Sequence, residues 1–70
     1  MNEMYGLQHQ VQTALMEERI LENEGIEVLD SNGVITLRGT VSSVEAREMA
    51  ESVARSVTGV TSVINELDVV

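Results

Sequence analysis

Cysteine is absent from this chain of 70 residues, which excludes disulfides and thiolate metal sites. Histidine occurs once, at His9, and one imidazole cannot build a zinc site. Aromatic residues are reduced to Tyr5, so the core has to be aliphatic. Lysine is missing altogether, and four arginines face twelve carboxylates for a net charge of −8. Such a field repels phosphate backbones, and a chain without stacking aromatics or a basic groove lacks what single-stranded nucleic acid requires. Nucleic acid is therefore not an expected partner. No apolar run approaches the roughly 20 residues that span a bilayer. Met1 to Gln10 carries no basic and apolar leader pattern, so the sequence as written predicts a cytoplasmic protein. An excised domain would instead be compatible with a periplasmic or envelope location.

Seventy residues make one domain, 1–70. A chain of that size buries only about 60% of its unfolded surface. With no disulfide to help, local packing or association with another copy or another module has to supply the remainder.

What is present is periodicity. Met4, Leu7, Val11, Ala14 and Leu15 recur at helical spacing. The phase breaks at Glu18, and Ile20 is expected to turn inward from the loop that follows. Ile26 and Val28, then Ile35 and Leu37, alternate with polar residues at the period of a half-buried strand. Asp30-Ser31-Asn32-Gly33 between them predicts a tight hairpin, because Asn-Gly accepts positive φ. Gly39, late in the second strand, predicts a bulge or a close backbone approach.

Ser42, with Glu45 three residues on, reads as a capping box. It opens a helix whose stripe is Ala46, Met49, Ala50, Val53, Ala54 and Val57. Arg47 with Glu51, and Glu51 with Arg55, stand at i,i+4 spacing and predict supporting ion pairs. Gly59 is positioned as the C-cap. Val63, Asn65, Leu67 and Val69 then alternate with Ser62, Ile64, Glu66 and Asp68 as a third strand. The expected fold class is α+β in the order αββαβ, with both helices on one face of a three-stranded sheet. A third strand beside the second makes the sheet mixed; placement beside the first is the alternative.

The run Ile26-x-Val28, Asn32-Gly33-x-Ile35-x-Leu37-x-Gly39-x-Val41, Glu45-Ala46 with Ala50 and Ala54, and Val57-x-Gly59-Val60-x-x-Val63-x-Asn65-x-Leu67-x-Val69 resembles the BON domain (bacterial osmotically-inducible and nodulation). Ala14-Leu15 and Ile20 match its first helix and the apolar residue after it. The resemblance covers Leu7 to Val69 and includes the glycine trio Gly33, Gly39 and Gly59. It implies the same element order, a non-catalytic binding role and association with phospholipid surfaces. Such domains accompany bacterial envelope and osmotic-stress proteins, often as two copies and with an export signal; the sequence as written predicts one copy and no such signal.

Chemistry-bearing constellations are sparse. Ser42 and Ser43 are helix caps with no histidine placed to activate them, so no enzyme and no cofactor is expected. Glu17, Glu18, Glu22, Glu24 and Glu27 do not follow the alternation of a calcium loop, and no metal site is expected, although a cation-responsive domain is a third reading. Arg38 on the exposed sheet face and Arg47 and Arg55 on the second helix are the candidate headgroup contacts. Met4, Tyr5, Met16 and Leu29 are the candidate apolar contacts, with Leu29 facing away from the helices. Phospholipid, a protein partner or a second copy of the chain are the partner classes these residues admit.

Overall fold

Each element forms where its periodicity and its turn chemistry agree. The computed structural model describes residues 6–70. Helix α1 spans Leu7–Met16 and a short 3-10 turn spans Arg19–Leu21. They are followed by β1 (Gly25–Ser31), β2 (Val34–Val41), α2 (Val44–Ser56) and β3 (Ser62–Val69). The sheet order is β1-β2-β3. β1 and β2 are antiparallel from Gly25↔Thr40 to Ser31↔Val34, and β2 and β3 are parallel from Val34↔Ser62 to Val41↔Val69. The result is the mixed α+β sheet expected from the sequence, with β3 beside β2.

The hairpin closes on two residues, Asn32 and Gly33, with φ of +53° and +88°. Positive φ at both central positions gives the chain the twist that matches the flanking strands. The Gly33 N–H donates to Asp30 Oδ1 at 3.0 Å and so ties the turn to the strand before it. Gly39 has φ of +123°, and a Cβ built there would lie 1.9 Å from the Gly25 carbonyl oxygen. The pairing runs through Ile26↔Gly39 without an inserted residue. Of the two roles expected for this glycine, close backbone approach is the one the strands use.

The core is wholly aliphatic among the described residues. Val11 and Leu15 come from α1 and Leu21 from the 3-10 turn. Val28, Ile35, Leu37, Val41 and Leu67 come from the sheet, and Ala46, Ala50 and Ala54 from α2. The three alanines are fully buried, and their small side chains let α2 lie close on the strands.

Four expectations need correction. The inward residue after α1 is Leu21, while Ile20 remains 42% exposed; the 3-10 turn shifts the phase by one residue relative to a plain loop. The helix cap is Ser43, whose Oγ accepts from the Ala46 N–H at 3.0 Å. Ser42 instead donates to Glu24 Oε2 at 2.7 Å. With Ser43 as cap, the residue three positions on is the buried Ala46, so no capping box forms, and Glu45 falls in the first turn where the helix dipole favours it. Met49 sits at the margin of the stripe at 36% exposure. Finally, α2 ends at Ser56 with the extended Val57 as its C-cap, so Gly59 (φ +103°) lies beyond the cap in a turn closed by Val60 N–H to the Val57 carbonyl.

Candidate functional site

Both helices cover one face of the sheet and leave the other open. The register fixes what the open face displays. Its rows, from the hairpin downward, are Ser31–Val34–Ser62, Leu29–Thr36–Ile64, Glu27–Arg38–Glu66 and Gly25–Thr40–Asp68. Leu29 and Ile64 are 37% and 47% exposed, and Thr36 between them is half-buried. The next row alternates in charge, and Arg38 Nε lies 3.8 Å from Glu66 Oε1. An apolar bar therefore lies beside a minus-plus-minus bar. Leu29 and Arg38 stand where alternation predicts them. Ile64 was visible as an apolar residue in an outward slot, but its alignment with Leu29 depends on β3 pairing with β2.

Arg47 does not reach this face. It is half-buried, with Nε donating to the Leu67 carbonyl at 3.0 Å and an Nη to the Asn65 carbonyl at 3.4 Å. Odd-numbered residues of β3 turn their backbone groups away from β2, so this guanidinium caps the outer edge of the sheet. Asn65 completes the seal. Its Oδ1 accepts from the Leu67 N–H at 3.1 Å, and its Nδ2 donates to the Arg47 carbonyl at 3.0 Å and to Glu51 Oε1 at 3.2 Å. The hydrogen bond from Asn65, and next that from Arg55, hold the Glu51 carboxyl below the ordinary glutamate value. Glu51 pairs with Arg55 at 2.8 Å; the Arg47–Glu51 pair expected from spacing gives way to the strand carbonyls. Sequence reasoning passed over Asn65. The signal was an amide in an inward slot of an otherwise apolar alternation.

The remaining candidates lie apart from one another. Met4 and Tyr5 fall outside the described residues. Met16, at the end of α1, is 69% exposed. Gly33 and Gly59 meet at one end of the sheet, where a Cβ on Gly33 would lie 3.0 Å from the Gly59 carbonyl oxygen. The Thr61 N–H donates to the Gly33 carbonyl there at 2.8 Å. These glycines shape backbone and contribute no reactive group. Glu24, from the acidic stretch, holds Ser42. No group of three His, Asp or Glu side chains among the described residues is arranged to hold a metal ion. No helix among them is long and apolar enough to cross a membrane.

The glycine positions, the αββαβ order and the mixed sheet coincide with a match to the BON domain over residues 6–70. The chain belongs to the BON domain family. Osmotically-inducible protein Y of Escherichia coli (strain K12) is a relative, 36% identical over 58 residues. That stretch is 83% of this chain and 29% of the relative, so this BON domain spans less than a third of that protein's length. Family membership supports a non-catalytic domain, and osmotic induction is what the name of the relative records of that protein.

Proposed function

We propose that this BON domain is a non-catalytic protein-contact module that packs its open sheet face against the same face of a second copy. The observation that carries this reading is the row order of that face. Facing sheets stack about 10 Å apart. A two-fold axis along the Leu29–Thr36–Ile64 row sets each of those residues on its own counterpart. The same axis sets Glu27 over Ser31 of the second copy, Arg38 over Val34 and Glu66 over Ser62, so hydroxyls meet carboxylates. An axis along β2 instead stacks Glu27 on Glu66 and Arg38 on Arg38, like charge on like. Three overlapping rows bury roughly 300 Å² per copy at these strand spacings, against about 800 Å² in a standard interface. The contact is therefore weak and concentration-dependent, suited to modules brought together by a longer chain.

Attachment to an anionic phospholipid surface, which the family resemblance implies, receives less support from this geometry. Arg38 is flanked by Glu27 and Glu66, Arg47 is spent on β3 carbonyls and Arg55 on Glu51. Salt separates the two readings. Copies with a net charge of −8 repel, so self-association tightens as NaCl rises, whereas arginine-driven lipid binding weakens. Sedimentation velocity across a concentration series is expected to show a monomer–dimer equilibrium that strengthens with salt and disappears in Leu29→Arg. Ser31→Arg, which sets a cation over Glu27 of the second copy, is expected to strengthen it more than Ser52→Arg on α2. A monomer under all conditions, together with co-sedimentation on phosphatidylglycerol vesicles at low salt, would overturn the proposal in favour of the lipid surface.

A further inference from the structure

The side of the molecule opposite the open sheet face carries a second surface. A shallow groove of about 480 Å³ runs between the 3-10 turn and α2, lined by Ile20, Glu45, Glu48, Met49 and Ser52. Its floor is apolar. Ile20 and Met49 are 42% and 36% exposed, beside Leu21 of the same turn and Ala46 and Ala50 of the same helix, which are buried. Its rim is acidic. Glu45 and Glu48 form no ion pair among the described residues, while on α2 Arg55 is held by Glu51 at 2.8 Å and Arg47 by the Leu67 and Asn65 carbonyls. A second shallow depression, lined by Glu48, Glu51, Ser52 and Arg55, shares two residues with the first and continues it along α2. From Glu45 to Arg55 the track follows ten residues of helix, about 15 Å at the helical rise.

We infer that this groove docks a basic amphipathic helix of a partner protein. One apolar side chain of that helix enters between Ile20 and Met49. Lys or Arg residues on either side, one turn apart, meet Glu45 and Glu48. Charge complementarity selects the sign: the rim is anionic, the domain carries −8, and the field draws in cationic partners at long range. The track selects the shape, because carboxylates at i and i+3 on α2 repeat at the pitch of a second helix laid alongside. Met49 supplies a side chain that adapts to the inserted anchor. This surface is separate from the sheet face and does not depend on the self-association proposed above.

The test is titration of the isotope-labelled domain with a synthetic Leu/Lys peptide whose leucines lie on one helical face, beside a scrambled peptide of the same composition. Backbone amide shifts are expected to cluster at Arg19–Leu21 and Val44–Ser56 for the first peptide and to be several-fold weaker for the second. Doubly substituted Glu45→Gln/Glu48→Gln is expected to raise Kd about fivefold, within the range for two exposed ion pairs, and to flatten its salt dependence. Glu17→Gln/Glu18→Gln, which changes the net charge equally, is expected to change Kd by less than about twofold. Met49→Asp is expected to abolish binding, and its amide spectrum reports separately that it folds. Leu29→Arg, which removes self-association, is expected to bind as the unmodified domain does. Equal loss in both Gln pairs, shifts spread over the whole surface, or no peptide binding would each overturn the inference.

Discussion

The two faces of this sheet are made by the same three strands, yet they do different work. On the covered face, Val28, Ile35, Leu37, Val41 and Leu67 are buried beneath the alanine stripe of α2 and the Val11–Leu15 side of α1. The amide on that face, Asn65, has its oxygen and its nitrogen hydrogen-bonded. On the open face, Leu29, Thr36 and Ile64 form a bar beside Glu27, Arg38 and Glu66, and these charges remain in solvent. A small, wholly aliphatic core leaves little stability to spare. The covered face supplies most of that stability, and the open face is not held by the same packing.

This contrast can be broken or sharpened by substitution. The largest effect is expected at Gly39→Ala. A Cβ there overlaps the Gly25 carbonyl at a φ of +123°, so β1 and β2 must separate. The loss is expected to exceed about 4 kcal/mol, enough to leave the chain unfolded by circular dichroism. Next comes a matched pair, one change on each face. Leu37→Ala, on a fully buried side chain, is expected to lower stability by about 2–5 kcal/mol in urea titration. Leu29→Ala is expected to cost less than about 1 kcal/mol because its side chain is already partly in water. Equal losses would show that the open face is part of the core.

Asn65→Ala tests the seal at the β3 edge. It deprives the Leu67 N–H of its acceptor and Glu51 of a donor, with an expected cost of about 1–3 kcal/mol. The smallest effect is the pH dependence of Glu51. Its folded pKa is lowered, chiefly by Asn65 and then by Arg55. Its charge therefore stabilises the fold above the unfolded-state value near 4.5, and that contribution is lost as pH falls through the folded pKa. Thermal unfolding at successively lower pH is expected to decline less steeply in Glu51→Gln than in the unmodified chain. The difference is small, because a third of the Glu51 side chain is exposed.

Much of the fold was legible because it is local. Asn32-Gly33 specified its hairpin through φ alone, and the period-two and helical stripes located the three strands and both α-helices. Errors arose where adjacent residues offered the same chemistry. Ser42 and Ser43 both present a hydroxyl, and the helix phase that buries Ala46 selected the second. Ile20 and Leu21 are both aliphatic, and the 3-10 turn rotated the second into the core. The candidate surface was half legible. Leu29 and Arg38 could be assigned an outward face from alternation, but the bar they share with Ile64 and Glu66 exists only once strand neighbours are known.

The sequence by itself determined the element order, the hairpin, the aliphatic character of the core and the acidic field, because each depends on near neighbours or on composition. Tertiary structure alone decided that Arg47 leaves Glu51 for the carbonyls of Asn65 and Leu67, that Ile20 and Met49 line a groove together, and that one sheet face stays uncovered with its apolar and charged bars in register. Those outcomes depend on competition between groups far apart in the chain, where an unsatisfied strand edge outweighs an exposed ion pair worth at most about 1 kcal/mol.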